Sequence, residues 1–154
     1  MPEWKRVKEE ADKQISDFDY EIWGSDLSSS AIAQATENIK LTKLHKDIKL
    51  FRCEIEKQEP PQGKTLIITN PPYGERLNDF SIKQLYSSIG TTLKHKFTGC
   101  NAWIISSSML GFHNIGLKPT KKIALINGDL KCDFRGYSIF SGKMKEYKKD
   151  FKRR

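Results

Sequence analysis

The chain of 154 residues predicts an α/β fold in which parallel strands alternate with helices and the last two strands close as an antiparallel hairpin. Three observations lead there. Apolar residues recur at helical spacing in three separate stretches. Short apolar runs sit between those stretches, as expected of strands in a parallel sheet. Near the end, Asn127-Gly128 joins two strand-like runs, which is a strong short-range hairpin signal.

Taken in order, Trp4, Val7, Ala11, Ile15 and Phe18 mark one face of a first helix, followed by a strand over 21–25. Ile32, Ala35 and Ile39 mark a second helix, followed by strands over 48–53 and 65–69. Ile82, Leu85, Tyr86, Ile89 and Leu93 mark a third, leading into a strand over 102–106. These four strands read as buried and parallel, and the tryptophans and most aromatics as core. Lys122–Ile126 and Leu130–Phe140 form the closing hairpin around Asn127-Gly128. In the second of these runs Leu130, Cys132 and Phe134 alternate in one phase, and Tyr137 and Ile139 in the other. A β-bulge at Gly136 would reconcile the two phases on one buried face.

Length allows one domain with a modest core. Lysine and arginine number 27 against 19 acids, a net charge of +8, which favours a polyanionic partner, nucleic acid first. The charge concentrates in a basic tail over 143–154, where Tyr147 and Phe151 are available for stacking on bases and apolar periodicity stops. Cys53, Cys100 and Cys132 lie far apart without a CxxC pair, and His45, His95 and His113 lack ligand spacing, so no metal site is expected. Reduced cysteines, no signal peptide and no run of about 18 apolar residues point to a cytoplasmic chain without a membrane span.

Residues 69–76, Thr-Asn-Pro-Pro-Tyr-Gly-Glu-Arg, directly follow the apolar run Leu66-Ile67-Ile68 and carry the chemistry. An exocyclic amine on a purine is a poor nucleophile because its lone pair is delocalised into the ring. The Asn70 side-chain oxygen and the Pro71 carbonyl are acceptors that can take its two protons and aim the lone pair at a methyl donor. Pro71 and Pro72 stiffen the loop, since each fixes its own φ and restricts the residue before it. Tyr73 offers a face on which a splayed-out base can stack.

The string from Thr69 to Leu77 resembles the fourth motif of the large-subunit ribosomal RNA guanine-N2 methyltransferase family, also known as predicted N6-adenine-specific DNA methylases. That resemblance implies a Rossmann-like class I methyltransferase sheet, with S-adenosylmethionine as cofactor and ribosomal RNA as partner. Glu21-Ile22-Trp23-Gly24-Ser25-Asp26 is similar to the family's second motif, which implies that Asp26 binds the cofactor ribose. Where the family continues with a second acid or asparagine and a proline, this chain has Leu27-Ser28-Ser29-Ser30. Phe51-Arg52-Cys53-Glu54-Ile55 falls where the family places an acid toward the cofactor adenine, which assigns that role to Glu54. Catalysis is assigned to Asn70, Pro71, Pro72 and Tyr73, with Asn70 also facing the cofactor.

The family's glycine-rich first motif has no counterpart in the sequence. The expectation is therefore the carboxy-terminal part of a methyltransferase domain over 1–142, lacking the first, central strand, with the tail after it. Such a sheet implies a missing amino-terminal half or a self-association partner, because the strands that would flank the absent one have free edges. It also implies weak cofactor binding by this chain alone. The alternatives are a non-catalytic basic RNA-binding fragment and an adenine-N6 DNA methyltransferase.

Overall fold

The structure is a computed structural model that describes residues 2–16, 18–73 and 77–140, so the basic tail and Gly74-Glu75-Arg76 lie outside the described residues. The chain divides into two compact units, Met1–Cys53 and Glu54–Arg154.

The first unit contains α1 (Pro2–Asp12), β1 (Ile22–Asp26), α2 (Ser29–Thr42) and β2 (Ile48–Arg52). Helix α1 is laced on its surface by Arg6–Glu10 at 2.7 Å and Lys8–Asp12 at 2.5 Å, both one turn apart. Its end at Asp12 falls short of Ile15 and Phe18, which lie beyond the helix and are exposed. Helix α2 starts at Ser28, whose hydroxyl accepts from the Ala31 N–H at 3.3 Å, as an N-cap should. It ends on Lys43 in the left-handed region at φ 63°, with the Lys43 N–H closing onto the last turn. β1 and β2 pair in parallel across this βαβ unit, Ile22 against Ile48 through Asp26 against Arg52. No residue of either strand is buried, contrary to the expectation of buried strands. Trp4 and Trp23 are likewise not core: they are 66% and 36% exposed, Trp23 resting on Phe51 with ring centroids 5.2 Å apart.

The second unit holds a 3-10 turn at Ile55–Lys57 and a four-stranded sheet of order β3-β4-β6-β5, formed by β3 (Leu66–Thr69), β4 (Asn101–Ser106), β5 (Lys121–Asn127) and β6 (Leu130–Ser138). β3 and β4 run parallel around the crossover helix α3 (Asp79–Lys96), which is capped by the Asn78 side chain on the Ser81 N–H at 2.8 Å. β4 pairs antiparallel with β6, and β6 with β5. The short helix α4 (Met109–Asn114) follows β4 and packs on α3. The contact is close at two glycines: a Cβ on Gly90 would sit 1.7 Å from the Ile115 carbonyl oxygen, and one on Gly111 would meet the Tyr86 ring at 2.6 Å.

One sheet face and these helices make the core, in which Ile82, Tyr86, Ile89, Leu93 and Phe112 meet Ala102, Ile104, Tyr137 and Ile139. The opposite face is apolar too. Register places Trp103 across from Gly136, Ile105 across from Phe134 and Leu125 across from Cys132 on that side, while Leu66, Ile68, Ile123, Leu125 and Leu130 remain exposed.

This second face explains why no bulge occurs. Both ladders of β6 run without interruption, from Leu130 through Ser138, so the phase change near Arg135-Gly136 is not a backbone defect. Cys132, Phe134 and Gly136 serve one face, and Arg135, Tyr137 and Ile139 serve the other. A central strand with apolar partners on both sides has no single buried phase to restore. The hairpin turn also differs by one position. Asn127 pairs with Leu130 as the last residue of β5, and the two-residue loop is Gly128-Asp129, with Gly128 at φ 60° in the first position.

Candidate functional site

The Asn70-Pro71-Pro72-Tyr73 loop begins where β3 ends, at the carboxyl end of a parallel strand, which is where open α/β sheets hold their ligands. Pro71 is buried and anchors the loop to the fold. Asn70 and Pro72 are exposed and Tyr73 is half-buried. Among the described residues the Asn70 side chain, an exposed amide with one acceptor and two donors, makes no hydrogen bond.

The Tyr73 hydroxyl reaches the closing hairpin. Asn127 Nδ2 donates to it at 3.2 Å, and the Cys132 Sγ lies 4.0 Å away. Sequence reasoning missed both partners. Asn127 was legible only as turn chemistry and Cys132 only as an isolated thiol; no spacing rule connects either to a loop more than fifty residues upstream.

Behind the strand ends lies a polar cluster on the core side of the sheet. Tyr86 Oη and Ser106 Oγ share a buried hydrogen bond at 2.5 Å, and the Ser106 hydroxyl also accepts from the Ser108 N–H at 2.9 Å where α4 begins. Arg135 is buried yet satisfied, since its guanidinium pairs with Asp133 at 2.6 Å and lies 3.8 Å over the Phe112 ring. A buried charge kept in this way needs both partners. Burial pushes the Tyr137 phenol up to about 12, with the Arg135 charge acting in the opposite sense without offsetting it. Burial raises Tyr86 as well, against the Ser106 hydrogen bond.

The two acids lie elsewhere along the chain. Asp26 closes β1 in the first unit; its Oδ1 accepts from the Ser28 N–H at 2.7 Å, and its carbonyl accepts from the Cys53 N–H at 3.2 Å. The carboxylate thus shapes the entry to α2 with one oxygen. Glu54 opens the second unit ahead of the 3-10 turn and pairs with Lys57 at 2.9 Å. Within the second unit the four loop residues follow β3 consecutively, and Asn127 of the hairpin meets the last of them at the Tyr73 hydroxyl. Among the described residues no group of three or more histidines, cysteines or acids could hold a metal ion, and the three cysteines are free. No described helix is long and apolar enough to cross a membrane.

Parallel strands joined by crossover helices, a carboxy-terminal antiparallel hairpin and a polar loop at the strand ends define part of a class I methyltransferase sheet. Comparison with known proteins agrees. Residues 1–135 match the family described as "RMKL-like, methyltransferase domain". The chain belongs to that family. The "Ribosomal RNA large subunit methyltransferase K/L" of Shewanella sp. (strain MR-4) is 33% identical over 141 residues, which is 88% of this chain and 20% of that protein. The protein of the same name from Syntrophotalea carbinolica is 35% identical over 121 residues, 75% of this chain and 17% of that protein. Among solved structures, SMU.472 complexed with SAH superposes with a TM-score of 0.78 at 30% identity, covering 90% of this chain and 37% of that one. The chain spans about a fifth of the length of the curated relatives it matches.

Proposed function

We propose that this chain serves S-adenosylmethionine-dependent transfer of a methyl group to the exocyclic amine of a nucleic-acid base, with guanine N2 of large-subunit ribosomal RNA as the target. The observation that carries this reading is the Asn70–Tyr73 loop: a proline-stiffened acceptor-and-ring device at the end of a parallel strand, with the Asn70 oxygen unclaimed among the described residues. The names of the relatives support the RNA class, and the SAH held by SMU.472 supports the cofactor. In this reading Asn70 and the Pro71 carbonyl accept the amine protons and localise the lone pair. Pro72 holds Tyr73, and Tyr73 stacks on the base. Asp26 binds the ribose hydroxyls of the cofactor through its remaining carboxylate oxygen, and Glu54 faces the cofactor adenine. The S-adenosylmethionine supplies the electrophilic methyl group. The net charge of +8 favours the approach of a phosphate backbone.

Nucleoside mass spectrometry of ribosomal RNA from cells lacking the chain tests the reading. One N2-methylguanosine should disappear, return with the wild-type gene, and fall by about 10² or more in its rate of formation with Asn70→Ala, the loss expected when a preorganised acceptor is removed. Unchanged ribosomal RNA methylation would sink the proposal, and loss of an N6-methyladenosine in its place would move the target to adenine.

A further inference from the structure

Stacking on a base requires only the ring of Tyr73, and a phenylalanine would supply that. The hydroxyl therefore calls for a separate account, and its surroundings provide one. Asn127 Nδ2 donates to it at 3.2 Å, from the last ladder position of β5. The donor is itself well fixed: Asn127 is held opposite Leu130 in the β5–β6 register, and the loop that follows is set by Gly128 at φ 60°, a conformation that other residues rarely adopt. Cys132, on the same sheet face by register, brings its sulfur within 4.0 Å of the same hydroxyl. Half-burial packs part of the Tyr73 side chain, and the hydroxyl contact fixes its far end.

We infer that the closing hairpin positions the base-stacking ring: Asn127 is a positioning residue that holds Tyr73 at the angle at which an extruded base can lie on it. The inference rests on the methyltransferase reading of the Asn70–Tyr73 loop and assigns the hairpin tip to the substrate side of that site. Asn127 does not touch the base; it acts through the Tyr73 hydroxyl. Register supplies the stiffness, since a shift of one residue along β5–β6 would turn the Asn127 side chain to the other face of the sheet.

The test uses the whole chain, Asn127→Ala, Tyr73→Phe and the double variant, with two readouts. The first is NMR relaxation of the carbon-13-labelled Tyr73 ring without any ligand, in which Asn127→Ala should lower the ring order parameter as the ring loses its tether. The second is fluorescence of a short oligoribonucleotide carrying 2-aminopurine, a base whose exocyclic amine sits at the guanine N2 position. Each single variant should weaken capture by about five- to tenfold, the range of one net hydrogen bond, and the double variant by no more than either alone. Additive losses, or a Tyr73 ring order parameter unchanged by Asn127→Ala, would overturn the inference. If the wild-type chain failed to change the probe's fluorescence, the base-capture reading of the loop would fall, and the ring-relaxation comparison would still decide whether the hairpin holds Tyr73.

Discussion

The two units of this chain reach order by different means. In the second, Tyr86, Leu93, Ala102 and Ile104 are at most 1% exposed and pack into one cluster with both helices and the sheet. In the first, no element contains a buried residue, and regularity comes from i,i+4 ion pairs, a serine cap and a two-stranded parallel ladder. Surface pairs and caps contribute tenths of a kcal/mol to about one each, whereas a fully buried aliphatic side chain contributes about 1.5–3 kcal/mol. The lesson is that a sequence pattern specifies secondary structure equally well in both units while leaving their stabilities far apart. Single-tryptophan variants allow each unit to be followed separately, with only Trp103 kept to report the second and only Trp23 kept to report the first.

The largest effect should come from Ile104→Ala, which empties a site at 0% exposure and should cost about 2–5 kcal/mol in urea unfolding followed at Trp103. Leu41→Ala in α2, at 82% exposure, should leave unfolding within about 0.5 kcal/mol. Equal costs would abolish the contrast between the units.

Added methyl groups sharpen the same comparison. Gly90→Ala meets the Ile115 backbone and forces α3 and α4 apart, so it should cost about 3 kcal/mol, the upper part of the overpacking range. Gly24→Ala on β1 meets only the end of the Leu50 side chain, which can turn aside, and should cost less than about 1 kcal/mol.

Alkali should act on the second unit. The folded-state Tyr137 phenol is raised from 10.0 to about 12, so the folded form keeps a proton that the unfolded chain releases. The associated stability is complete below pH about 10 and is lost as pH rises toward about 12. Unfolding titrations at Trp103 should show this decline, and Tyr137→Phe should flatten it. The smallest effect is a gain: Lys43→Gly relieves the left-handed C-cap and should add about 1 kcal/mol or less to the first unit, read at Trp23.

Much of this was legible from local pattern. Helices α1, α2 and α3 and the six strands follow from apolar spacing and turn residues, whereas the six-residue α4 is too short to show a periodicity; the Asn70–Tyr73 loop could be placed at a strand end because Leu66-Ile67-Ile68 precedes it. What failed was whatever depends on partners across space. Alternation in β6 was read as requiring a bulge because one buried face was assumed; Trp103 and Phe134, stacked 4.7 Å apart on the second face, remove the need. Trp4 and Trp23 read as core because composition does not reveal whether another layer covers them. Asn127 spoke only for its turn, since a side chain's contact with a distant hydroxyl leaves no trace in periodicity.

The apolar face of the second-unit sheet has a calorimetric consequence. Leu66, Ile68, Ile123, Leu125 and Leu130 are already hydrated in the native state, so unfolding exposes little additional apolar area from them. The heat-capacity increment on unfolding follows newly exposed apolar surface, and should fall below the usual value of about 12–15 cal/mol/K per residue. The curve of free energy against temperature is then broad and shallow. Such a protein loses stability slowly on both heating and cooling, and anything that dries this face would steepen the curve.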